Sequence, residues 1–155
     1  MSELRPVLGN FSSIVCFKAV VVGVEDTLGE QGARVVLCAA GRKRGKDLVN
    51  ALGLGGKDIA PSDATAMLEA ALGVDGTRLC TIEGIEEIGS LIRVRVSDTV
   101  CMAGEPIGTA RTCSFTLGAV HGALEALTGR KLRGKHTKSR WRGETDDIFE
   151  FKDRL

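Results

Sequence analysis

The sequence has no tyrosine and a single tryptophan among its 155 residues. Its core must be built from aliphatic side chains, alanine, glycine and five phenylalanines, and an aromatic platform for stacking single-stranded nucleic acid is not expected. An excess of one charge is missing as well. The 21 basic and 20 acidic residues leave a formal net charge of +1, so the chain as a whole exerts no strong pull on polyanions. No apolar run approaches the roughly 20 residues needed to span a bilayer; the longest, at 19–24 and 35–41, suit buried helices or strands. The opening MSELRPVLGN lacks the basic-then-apolar order of a secretory signal. The five cysteines stand singly at 16, 38, 80, 101 and 113 with no CxxC. That pattern argues against a disulfide framework or a zinc site and for reduced core thiols in a cytoplasmic protein.

Enzymatic signatures are also missing. No serine lies in a Gly-x-Ser-x-Gly elbow. The stretch Gly53-Leu54-Gly55-Gly56-Lys57 has no preceding strand and no Lys-Ser/Thr ending, so it reads as a loop and not as a phosphate cradle. His121 and Glu125 are i,i+4 on a helix but off its apolar stripe, which predicts a solvated pair. Cys113 and His121 sit two turns apart on that helix, about 12 Å, too far for a dyad. His136 stands in a basic run with no metal-ligand spacing around it, so no metal ligand and no cofactor is expected. The chain reads as a binding protein rather than an enzyme.

What is present is one domain of ordinary globular balance, 43% hydrophobic and 26% charged, spanning 1–155 with 1–16 as an N-terminal extension. Phe17, Val21, Val24, Leu28, Gly32, Val35 and Ala39 recur at steps of three and four, which predicts a helix over 17–39. The same face continues through Gly41, Gly45, Leu48, Val49 and Leu52, and Gly53 suits its end. The two inner glycines would permit a bend or a close helix approach. A short helix follows, capped by Ser62 or Asp63 and closed by Gly73. Residues 77–85 and 91–96 read as strands around a turn at 86–90, with Ile92, Val94 and Val96 alternating against Arg93 and Arg95. The most regular element is a helix over 112–127. Its stripe is Cys113, Leu117, Val120, Leu124 and Leu127; Gly118 and Gly122 form a second, small-residue face. Residues 131–141 and 147–152 read as a closing hairpin with Phe149 and Phe151 on one face. Three helices, two strands, a helix and two strands predict an α+β fold: a four-stranded antiparallel sheet covered on one face by about four helices.

Seven cations lie within 130–142: Arg130, Lys131, Arg133, Lys135, Lys138, Arg140 and Arg142. The preferred reading is an edge strand protected from aggregation by charge. The alternative is an acidic protein or anionic surface as partner; nucleic acid is not expected, because Glu144, Asp146, Asp147 and Glu150 offset the field. Trp141 either anchors this hairpin or is exposed.

The strand pair IEGIEEIGSLIRVRVSDT, the stretch CSFTLGAVHGALEALTGRKL and the final hairpin with Gly143 resemble the 4-vinyl-reductase-type, hydrocarbon-binding domain. AAGRKRGKDLVNALG resembles that family's Ala-Gly…Gly helix, and CSFTLGAVHGALEAL is similar to the matching helix of the Bet-type subunits of TRAPP tethering complexes. The resemblance implies the fold of ligand-binding domains in NO signalling and Golgi transport. It further implies a homodimer through the N-terminal helices and an apolar pocket between helices and sheet. Relatives are linked to tetrapyrrole metabolism, hydrocarbon sensing and acyl-chain binding. The hairpin cysteine pair of many members is absent here, as is the acylated cysteine of the tethering subunits. On this basis the expected function is non-catalytic binding or sensing of an apolar small molecule: a lipid, a hydrocarbon or a tetrapyrrole. The expected pocket wall is Leu37, Cys38, Cys113, Leu117 and Val120. The alternative is a scaffold or tethering protein that uses the dimer surface and basic hairpin with no ligand.

Overall fold

Ser13 starts the first helix, α1 (Ile14–Ala51), by accepting the Val15 N–H on its side chain at 3.2 Å. The computed structural model describes residues 4–155. After α1 come a 3-10 turn at Pro61–Ala64, α2 (Thr65–Leu72), and the strands β1 (Thr81–Ile88) and β2 (Leu91–Ser97). Then follow α3 (Ser114–Thr128), β3 (Leu132–Lys138), a 3-10 turn at Arg140–Arg142 and β4 (Asp147–Asp153). All strand pairings are antiparallel in the order β1-β2-β4-β3, which leaves β1 and β3 at the edges. The expected α+β architecture is therefore present, with three helices, the first in two segments.

The break within α1 falls at Gly29, not at Gly41 or Gly45. Gly29 adopts φ 72°, ψ 170°, a left-handed conformation open to glycine because it has no Cβ. This break resets the helical phase. Val21 is buried before it, and Ala33, Leu37, Gly41, Gly45 and Leu48 after it. In an unbroken helix Val21 and Ala33 would lie roughly 120° apart at 3.6 residues per turn. Hence the predicted face fails in its second half: Leu28, Val35 and Ala39 are exposed. Val21, Ala33 and Leu37 instead close around Phe115, whose ring meets Phe17 edge-on at 5.2 Å.

Gly41 and Gly45 carry the close approach. A Cβ on Gly41 would overlap Phe115 O and one on Gly45 would overlap Ala119 O; on α3, Gly118 and Gly122 face Cys38 O and Arg42 O as tightly. Four glycines thus let two helix backbones touch, a geometry that favours Cα–H···O contacts. The small residues do not leave room for a guest at the crossing itself.

α3 then lays its predicted stripe on the sheet. Cys113, Val120, Leu124 and Leu127 are fully buried against Ile92, Val94, Val96, Phe149 and Phe151. Gly129 ends the helix in the left-handed conformation, φ 68°. Three local expectations shift. The short helix is led by Pro61 and has no side-chain cap from Ser62 or Asp63. Glu86 and Glu87 belong to β1, opposite Arg93 and Ile92, with only Gly89 and Ser90 turning. Trp141 is half-buried and packs on the core, so it anchors the hairpin.

Candidate functional site

β3 is where helices and sheet leave a gap. Along this edge strand Leu132, Gly134 and His136 turn inward while Arg133, Lys135 and Thr137 face out. Gly134 presents no side chain to Phe151 and Leu117, whose atoms lie within 3.4 Å of where its Cβ would be. Between this strand, the second segment of α1 and the outer flank of α3 runs a cleft of about 380 Å³. Its floor is Cys38, Ala39, Leu117, Gly118 and Gly134, and its rim carries Arg42, Arg133 and Arg154. It adjoins a larger groove of about 890 Å³ that shares Cys38, Leu117, Arg133 and Gly134 and continues along β3 past Lys135 and His136.

Of the five wall residues expected from the sequence, Cys38 and Leu117 line this cleft together. Burial raises the Cys38 thiol above its ordinary pKa, against the Ser114 hydrogen bond, so the wall there is an uncharged thiol. Leu37, one residue earlier and about 100° around the helix, faces Val21, Ala33 and a separate cleft of about 210 Å³. Cys113 and Val120 lie sealed beneath, with no exposed surface.

His121 lines the cleft, and it and Glu125 are not a solvated pair. Their side chains are only 15% and 13% exposed. Glu125 Oε1 accepts the Leu132 N–H at 2.8 Å and lies 3.2 Å from His121 Nε2; its Oε2 accepts from Arg42 Nη2 at 2.6 Å. His121 Nε2 also lies 2.9 Å from Leu132 O, and its ring leans on Phe151. The tight turn at Gly129 brings β3 back beside α3, and α1 supplies Arg42, which is what encloses the pair. Burial lowers the His121 pKa, with Arg42 adding to it against the pull of Glu125. Burial opposes ionisation of Glu125, but the Leu132 N–H and Arg42 hold its pKa below the ordinary value.

A second polar group lies under the N-terminus of α3. His136 Nδ1 accepts the Cys113 N–H at 3.3 Å, and His136 Nε2 is 3.0 Å from Asp147 Oδ1. Cys113 Sγ, a His136 nitrogen and an Asp147 oxygen all lie within 4.8 Å of one another. The side chains of His136 and Asp147 are 2% and 4% exposed. Thr99 Oγ1 touches Cys113 Sγ at 3.4 Å, and Cys101 Sγ lies 3.2 Å from Thr116 Oγ1. A hydrogen bond between the two thiols lowers the Cys101 pKa and raises that of Cys113. Thiolate, imidazole and carboxylate are zinc-type donors, so these are the side chains that could hold a metal ion; each already has a protein partner. Separations of 23 and 11 residues along the chain hide the set from any spacing motif. The available signal is the strand period. Asp147 shares the inward face of Phe149 and Phe151, and an inward carboxylate requires a donor.

Two solved structures share this fold. One is the phenol-responsive sensory domain of the transcription activator PoxR, solved with phenol. It superposes with a TM-score of 0.68 at 14% identity, covering 94% of this chain and 77% of that one. The other is trafficking protein particle complex subunit 3 from Naegleria fowleri, covalently bound to palmitic acid. Its TM-score is 0.58 at 11% identity, with 92% of this chain and 98% of that one covered. No family model matches the chain, and no curated protein matches it. At these identities the likeness is one of fold, and the similarity to tethering subunits read from 113–127 stands at that level alone. Among the described residues, no helix is long and apolar enough to cross a membrane.

Proposed function

We propose that the chain is a non-catalytic receptor for an apolar small molecule, held in the cleft between α1, α3 and β3. The observation that carries this reading is an apolar floor, Cys38, Ala39, Leu117 and Gly118, in a cleft of about 380 Å³ continuous with a larger groove. Small-molecule sites run to roughly 300–1,000 Å³ with apolar walls and a few polar groups. Two proteins of the same fold, one solved with phenol and one with palmitic acid, support it by analogy. Lipid, hydrocarbon and tetrapyrrole ligands all fall within the reading, as does the 4-vinyl-reductase-type resemblance. The working unit is a homodimer in a reducing, cytoplasmic setting. Ile14, Val15, Val20, Val35 and Val36 of α1 are exposed, and an apolar surface of that kind favours a protein partner. Titration with N-phenyl-1-naphthylamine, an uncharged apolar fluorophore, tests the binding reading. Saturable enhancement at one site per chain is expected, and no saturable signal would refute it.

The scaffold alternative draws on the same exposed face of α1 together with Lys135 and Arg140, which project from the β3 hairpin. Charge reversal of Lys135 and Arg140 should release a retained partner if it is right and change nothing if it is wrong.

A further inference from the structure

We propose that the ligand of this cleft is an anionic amphiphile, with its apolar body on the Cys38–Leu117 floor and its charged head held by Arg133 and Arg154. The inference rests on the small-molecule reading above and narrows its chemistry. Three arginines border the smaller lobe: Arg42, Arg133 and Arg154. Only Arg42 has a carboxylate, because Glu125 takes it with two hydrogen bonds. Glu125 is itself fully engaged by Arg42, His121 and the Leu132 N–H. The side chains of Arg133 and Arg154 make no hydrogen bond or ion pair among the described residues. Elsewhere on the hairpin Arg130 is matched by Asp153 and Glu87 and Lys138 by Glu144, while Lys131 and Arg140 carry no side-chain ion pair among the described residues.

The strand register gives a second, independent sign. Arg133 stands directly opposite Lys152 across the β3–β4 ladder, and like charges in that position are destabilising. The nearest carboxylate on that face, Glu150, is already bound by Arg93 at 3.0 Å. Lys135 and Lys152 add further positive charge in the adjoining groove, facing only Glu150. An anion at the rim would relieve the repulsion and receive charge-assisted hydrogen bonds from a forked donor that suits carboxylate and phosphate alike. A wholly apolar ligand would do neither.

Calorimetric titration with three chain-matched ligands tests this: dodecanoate and dodecyl phosphate below their micelle concentrations, and dodecan-1-ol below its solubility limit. The titrations are made on the wild-type chain and on the double variant Arg133→Gln, Arg154→Gln. Both arginines are on the cleft rim, so the fold does not depend on them. Dodecanoate or dodecyl phosphate is expected to bind at least about tenfold more tightly than the alcohol, as charge-assisted bonding implies; which of the two leads identifies the head group. The variant should reduce that preference to within about twofold, by weakening the two anions far more than the alcohol. Equal affinity for all three, or a preference that survives in the variant, overturns the inference but keeps the small-molecule reading. If none of the three binds, the inference falls, and the N-phenyl-1-naphthylamine titration decides the small-molecule reading separately.

Discussion

His136 is the side chain on which the closing hairpin depends. It joins the backbone of α3 at Cys113 to the carboxylate of β4 at Asp147, and almost none of it reaches solvent. Removing one partner of a buried polar pair leaves the other unsatisfied. His136→Ala should therefore cost about 2–4 kcal/mol in urea unfolding, and adding Asp147→Ala should cost less than the sum of the two single changes. Additive losses would show that the two groups do not act as a pair. His121 gives a pH signature. Its folded-state pKa is lowered by burial from the ordinary 6.5, so the unfolded chain takes up a proton where the folded one does not. Stability should thus be full above about pH 6.5 and fall as the pH drops through that value toward the folded pKa. Glu125, lowered from 4.5, adds a further loss below about pH 4.5. His121→Gln should flatten the melting temperature between roughly pH 7 and 5.5; an unchanged slope would place the titration elsewhere.

Among the elements, the α1–α3 pair decides how tightly the domain closes. Gly45→Ala would drive a Cβ into Ala119 O and should cost about 1–3 kcal/mol, as overpacking does. Gly23→Ala lies on the same helix with nothing within 4 Å, and should stabilise by about 0.5–1 kcal/mol. Equal effects at the two sites would deny the backbone contact. This helix also shows what the sequence made legible. The α3 stripe from Cys113 to Leu127 and the pair Phe149 and Phe151 could be read from period alone, since their neighbours obey the same pattern. On α1 the inward positions Gly41, Gly45, Leu48 and Val49 could be read as well, but Leu28, Val35 and Ala39 could not, because a single positive-φ glycine at 29 shifts the buried face there. Of the residues bordering the cleft, Cys38 and Leu117 stand out in the sequence, whereas Arg154 and Gly134 do not and Arg133 reads only as part of a basic run. Reading them requires knowing that β3 forms the sheet edge beside α1, and strand order is not written in any local pattern.

On the scale of the whole molecule, the proposed dimer would use the exposed side of α1 and the proposed ligand the cleft beside it. The dimer reading makes a direct demand. Light scattering should find twice the chain mass, and Val20→Glu with Val36→Glu, both at exposed positions, should shift the equilibrium to monomer by at least about tenfold, since each would bury a charge. A wild-type chain that is monomeric at high concentration would contradict it. The ligand reading meets its most direct test at Ala39, which lies exposed on the cleft floor. An indole there would fill the space without disturbing the core. The measurement is the Kd of N-phenyl-1-naphthylamine for the wild-type chain and for Ala39→Trp, with melting temperatures taken alongside. A loss of at least about tenfold in affinity at unchanged melting temperature is the expected result, being the about 1.4 kcal/mol that one blocked contact surface readily costs. Equal affinity in the two proteins would show that the cleft between α1, α3 and β3 is not where the molecule binds.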